Sequence, residues 1–168
     1  MIRTRTAALL VSVPLLVAPL TLAGCFNGPG ATTTMQSGQA TGNGVQGQAG
    51  LVRIENATLV TGPEGSNSAT LMMRIVNQGA ESDRLLAATI DGVRATITGD
   101  SVDLPPGTSI PFAYESDLYV NSYEFDALPS AFVDVTLIFE KAGDATMQVL
   151  TVPPMSFYEG IAPNPPAA

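Results

Sequence analysis

Histidine is missing from this chain of 168 residues, and that sets the limits of its chemistry. Imidazole is the usual acid–base group near neutral pH and the commonest metal ligand, so no site that depends on it can be built here. The remaining reactive side chains are one cysteine (Cys25), one lysine (Lys141), six methionines and 15 carboxylates. Thioether sulfur suits copper(I). Met72 and Met73, however, are adjacent in a strand-like run, and neighbours in a strand point to opposite faces. Met147 and Met155 are separated by roughly 26 Å of extended chain, interrupted by Pro153 and Pro154. Met73 and Met147 are therefore expected to fill a core, and the residues by themselves assign no metal site. Glu115, Asp117, Glu124 and Asp126 could in principle form a glycosidase pair or hold calcium. The chain has no Trp to make a sugar platform, and these acids do not follow an EF-hand loop, so they read as solvated loop charges. Lys141 falls in a turn, which leaves a Ser–Lys pair unsupported. No catalytic residue, cofactor or small-molecule substrate is indicated, and the expectation is a non-enzyme.

Cys25 is different, because of what precedes it. Arg3 and Arg5 are followed by a charge-free apolar run from Ala7 to Leu22, broken by Pro14 and Pro19 and ending in Leu22-Ala23-Gly24-Cys25. A basic start, an apolar stretch and small residues before the cysteine fit a signal peptide over 1–24 with a lipobox at its end. The bland alternative is a plain signal peptide with an incidental cysteine. With no second cysteine in the chain, Cys25 has no disulfide partner within it and is expected to carry diacylglycerol. Cleavage would remove two arginines and no acids, leaving five basic residues against 15 acidic ones, a formal charge of −10. Such a surface is repelled by nucleic acid and by anionic headgroups, so membrane attachment has to come from the lipid. The expected location is the extracytoplasmic face of the cell membrane.

These residues must be positioned by the rest of the chain. Residues 26–50 contain no charge and are rich in Gly, Thr, Gln, Ser, Asn and Ala, which reads as a tether spanning roughly 25–30 Å. From Leu51 apolar runs of strand length alternate with turn residues: 51–60, 69–76, 84–90, 93–98, 109–114, 132–140 and 145–152. In the sixth run Val133, Val135, Leu137 and Phe139 share one face, and Lys141-Ala142-Gly143-Asp144 then turns the chain into a hairpin. No helical period appears after residue 50. About seven strands predict an all-β domain over 51–157, a β-sandwich or partly open barrel, with a Pro-rich tail over 158–168.

Several segments resemble the periplasmic PCu(A)C copper-chaperone family, in that family's order. Leu51–Ala57 is similar to its first strand, Ile75–Leu85 to its strand, Asn-x-Gly turn and Asp-Arg-Leu return, Leu104-Pro105-Pro106-Gly107 to its Pro-Gly turn, and Val135–Gly143 to its penultimate strand and hairpin. The resemblance implies a cupredoxin-like β-sandwich, and within the family the His-free LpqE-type lipoproteins of mycolic-acid bacteria look closest. The family's copper site uses histidines and methionines. Where its His-x-Met pair would lie, this chain reads Glu115–Asn121, and the segment for its earlier ligands is shortened to Thr89–Arg94. No family ligand carries over.

Three functions remain open at this level. The leading one is a lipid-anchored accessory protein that docks on a membrane complex; the LpqE resemblance implies the respiratory cytochrome bcc–cytochrome oxidase supercomplex. The second is a copper carrier with an altered site, and the third, an enzyme, has no residues in its favour. Tyr114, Tyr119, Tyr123 and Phe125, interleaved with acids, are the candidate interface. The alternative for these rings is alternation into the core.

Overall fold

The computed structural model describes residues 44–126 and 128–162. The expected lipobox with Cys25, and the expected tether up to residue 43, lie outside the described residues, as does 163–168. The chain runs through β1 (Val45–Ala49), β2 (Val52–Thr61), β3 (Ala69–Asn77), β4 (Asp83–Ile90), β5 (Val93–Arg94) and β6 (Thr96–Ile97). It continues through β7 (Val102–Leu104), β8 (Ser109–Phe112), β9 (Val120–Ser122), β10 (Phe132–Phe139) and β11 (Asp144–Val152), then a single 3-10 turn at Ser156–Tyr158. The all-β expectation holds, and each of the seven expected runs is present. The additional strands are β1, β7 and β9, with the fourth run divided at Ala95 into β5 and β6.

Alternation decides the packing. Val133, Val135, Leu137 and Phe139 of β10 are all buried, while Asp134 and Glu140 point to water. β10 pairs antiparallel with β11 from Phe132↔Leu150 to Ile138↔Asp144, the expected hairpin, and on its other side with β4. The sheet order is β5-β4-β10-β11-β2-β3-β9-β6, with β1 on β2, β7 on β4 and β8 on β3. Because β5 and β6 end this path yet adjoin in sequence, the sheet nearly closes on itself as a barrel. A short parallel pairing, Thr151↔Leu59 and Val152↔Val60, joins its two halves. Ile54, Leu59, Leu71, Ile75, Leu137 and Phe112 are fully buried at its centre. Each such side chain contributes about 1.5–3 kcal/mol relative to exposure.

One boundary is corrected. Composition places residues 45–49 in the tether, but they form β1, antiparallel to β2 through Gly47↔Ile54, Gln48↔Arg53 and Ala49↔Val52. Only Ala49 is buried there, so this strand is held by main-chain pairing, which a polar composition does not reveal. A Cβ at Gly47 would meet the flexible Met147 methyl at 2.7 Å, which marks how closely β1 approaches β11 there.

Two buried polar residues fix the turns. Asn77 donates from Nδ2 to the carbonyls of Glu81 and Leu104, both at 2.8 Å, and accepts from Gly79 N–H at 2.9 Å. Its own backbone bonds Thr108 and Gly107, so the Asn-x-Gly turn and the Pro-Gly turn are locked together. Asp83 accepts three backbone N–H groups, from Arg84 (2.7 Å), Lys141 (3.0 Å) and Ala142 (2.9 Å), tying β4 to the β10–β11 turn. Burial alone would raise its pKa, but those donors and the Lys141 charge outweigh burial and hold the carboxyl below its usual value.

Candidate functional site

A β-bulge shapes one wall of a surface cleft that gathers sulfur, aromatic and polar side chains. In β2, Glu55 faces Arg74 and Thr58 faces Met72, so Asn56 and Ala57 together oppose Met73 alone. Asn56 adopts a positive φ of 55°, a conformation asparagine tolerates better than most residues. The extra residue reverses the parity of β2 and turns the exposed Asn56 outward beside β3.

The opposite edge of β3 is incomplete at the same level. β9 pairs with Ala69 and Thr70, and β8 pairs with Met73 to Val76, leaving Leu71 and Met72 without a ladder partner on that side. Pro111 lacks an N–H, and β8 carries it as an edge strand. Between β8 and β9 the chain loops away through 113–119 and is closed by Ala113 N–H donating to the Leu118 carbonyl at 2.8 Å. By the resemblance noted in the sequence, this loop would stand where the PCu(A)C family carries its His-x-Met pair.

The 3-10 turn after Pro153-Pro154 supplies the last wall. The Phe157 ring lies 4.8 Å from Tyr114, tilted by 45°, and meets Tyr158 edge-on at 5.3 Å. Asn56, Met72, Met73, Arg74, Pro111, Tyr114, Phe157 and Tyr158 together line a cleft of about 260 Å³. Met73 is 3% exposed and faces the core, whereas Met72 is half-buried on the outer face. Alternation across β3 holds for the pair. Both residues contribute to the lining of the cleft. The Arg74 guanidinium is within 3.3 Å of Ser109 Oγ.

The sequence-derived site residues are dispersed. Tyr114 is 43% exposed and lies on the cleft. Tyr119 is half-buried and held by its backbone, accepting from Thr98 N–H at 3.0 Å and donating to Thr98 Oγ1 at 2.8 Å. Tyr123 is half-buried, and its hydroxyl accepts a long bond from Asn121 Nδ2 at 3.4 Å. Phe125 is 5% exposed and belongs to the core, so it offers no ring to a partner; here the alternation alternative wins. Glu115, Asp117, Glu124 and Asp126 are all exposed, and Met73 and Met147 pack into the core. Phe157 and Tyr158 were missed because they straddle the boundary drawn for the Pro-rich tail; two adjacent aromatics after Pro-Pro were the available signal. Among the described residues no group of three or more His, Cys, Asp or Glu side chains could hold a metal ion. The side chains around the cleft are chiefly apolar and aromatic, with the Asn56 amide and the Arg74 guanidinium as its polar members.

No protein-family model matches the sequence, and no curated protein matches it. Among solved structures the chain is similar to the apo PCuAC domain from PmoF1, at 26% identity and a TM-score of 0.59, over 66% of this chain and 100% of that one. It is also similar to the copper-bound PCuAC domain from PmoF2, at 26% identity and a TM-score of 0.55, over 66% and 99% of the two chains. For the apo PmoF2 PCuAC domain the values are 24%, 0.55, 67% and 98%. The β domain of this chain thus has a PCuAC-like, cupredoxin-like fold.

Proposed function

We propose that this protein is a non-enzymatic copper carrier of the PCuAC type, acting in the copper(I) state outside the cytoplasm. The observation that carries the reading is its likeness, over nearly the whole of that domain, to a PCuAC domain solved with copper bound. Without imidazole anywhere, and with its one thiol at the proposed lipidation site, the ligands left to it are thioether and oxygen. Thioether selects copper(I). A lipid on Cys25 would keep the carrier at the membrane surface, where a tethered domain meets membrane partners at raised local concentration. The test uses the mature chain, 25–168, with Cys25→Ser, because an unlipidated thiol would itself bind copper(I). Titration against a chromophoric copper(I) chelator should give one ion per chain, with copper(II) bound far more weakly. Failure to withdraw any copper(I) from the chelator removes the reading.

A second reading, an accessory subunit docked on a membrane complex such as the respiratory supercomplex, is favoured by one feature. Exposed rings and aliphatics are numerous for so small a domain, among them Phe157 at 54%, Phe132 at 67% and Leu128 at 80%. It is also what kinship with the LpqE-type lipoproteins would imply. Recovery of oxidase subunits with the lipidated protein from detergent extracts, lost on Tyr114→Ser with Phe157→Ser, would favour it. Recovery unchanged by those substitutions would take these rings out of the interface.

A further inference from the structure

We propose that the end of the barrel around the 61–68 loop seats on a lipid bilayer, with Leu128, Phe132, Leu150 and Met155 entering its headgroup boundary. The inference rests on the lipid anchor in the reading above and gives the anchored domain an orientation. β2 and β11 run parallel and both end here, at Thr61 and Val152, and β10 begins beside them with Phe132↔Leu150. The exposed Leu128 and Phe132 are joined by Met155, 65% exposed, and Leu150, 37%. They form one patch. Leu128 and Met155 border the same hollow, and Thr151 Oγ1, next to Leu150, donates to the Leu128 carbonyl at 2.8 Å. The main chain here leaves few donors for a protein partner to pair with. Pro63, Pro129, Pro153 and Pro154 have no N–H, and the N–H groups of Gly62, Ser66, Ser130 and Met155 donate to the carbonyls of Ser68, Pro63, Thr151 and Pro153. Apolar side chains over a satisfied backbone are what a lipid surface accepts. The chain also enters from this side. β1 is antiparallel to β2, so traced back from Ala49 to Val45 it heads towards the Thr61 end. Eighteen residues separate Cys25 from Gly44, which as a coil reach roughly 20–25 Å. An anchor at Cys25 thus draws this end towards the bilayer. Exposed Glu64 and Asp126 flank the hollow, and no lysine or arginine lines it among the described residues, so zwitterionic headgroups fit and anionic ones are repelled.

The chain has no tryptophan and a single thiol, so reporter and anchor can each be placed once. In the test, Cys25 of the mature chain is coupled to protein-free phosphatidylcholine vesicles through a maleimide headgroup, which supplies the anchor chemically. Tryptophan is introduced as Leu128→Trp or, towards the opposite end of the barrel on β4, as Leu86→Trp. The expected result is a blue shift of emission, with quenching by acyl-chain-brominated lipid, for the Leu128→Trp chain and neither effect for the Leu86→Trp chain. Adding Phe132→Ser and Met155→Ser should remove most of the quenching. Replacing part of the lipid by phosphatidylglycerol should weaken it, and Glu64→Gln with Asp126→Asn should restore it. No shift for the Leu128→Trp chain overturns the seating and leaves the patch to a protein partner. Equal shifts at both positions, or quenching indifferent to Phe132→Ser with Met155→Ser, overturn the assignment of this end. Quenching that grows with phosphatidylglycerol overturns the headgroup preference. Chemical coupling does not depend on native lipidation, so each of these failures leaves the carrier reading, which the chelator titration tests, and the native anchor, which Cys25→Ala tests, as they stand.

Discussion

Replacing Asp83 by Asn tests whether a charged acceptor, and not merely a polar one, holds β4 to the β10–β11 turn. The carboxylate accepts from Arg84, Lys141 and Ala142 at 2.7, 3.0 and 2.9 Å, two on Oδ1 and one on Oδ2. Hydrogen bonds to an ionised group contribute about 1.5–3 kcal/mol, and neutral ones about 0.5–1.5. Asn keeps the Oδ1 acceptor without its charge and sets an NH₂ against the Ala142 donor. Because the turn is half-exposed, water recovers part of the loss, and the expected cost is about 2 kcal/mol at neutral pH, a fall in Tm of roughly 10 °C for a domain of this size. The pH dependence has a definite sign. Asp83 is depressed below 3.8, so its contribution is complete above that value and disappears as pH falls through the lower folded value. Thermal melts followed by circular dichroism should therefore show wild type and Asp83→Asn separated at neutral pH and converging in acid. A gap that stays constant down to the most acid pH the fold survives would mean that charge is not what the three donors require.

Ser122 Oγ is buried without a hydrogen-bond partner, so Ser122→Ala should leave stability unchanged or raise it by up to about 1 kcal/mol; a clear loss in urea denaturation would reveal a partner. Cys25→Ala should abolish membrane retention of the acidic mature chain, and a processed variant still pelleting with membranes in high salt would show another anchor.

The strands were legible wherever a buried face imposed a period of two over several residues, as in 132–139 and 144–152. β1, β7 and β9 span five residues or fewer and are defined by main-chain pairing, so their side chains carried little periodic signal. The same limit hid the cleft. Alternation correctly separated Met72 from Met73, but it could not register that Asn56 and Ala57 together oppose one residue, or that β8 and β9 leave a gap beside Met72. Nor could spacing reveal that Phe157, 43 positions beyond Tyr114, returns to stack on it. Phe125 failed as an interface residue for a simpler reason. Its segment lies under the 61–68 loop, where Phe125 N–H bonds the Asn67 carbonyl and the ring is drawn into the core.

X-ray absorption at the copper K-edge, on the Cys25→Ser mature chain loaded with copper(I) and desalted, tests thioether copper carriage most directly. Expected is a reduced copper with a sulfur-dominated first shell and no imidazole scattering. A shell of oxygen or nitrogen alone, or no copper retained after desalting, would contradict it.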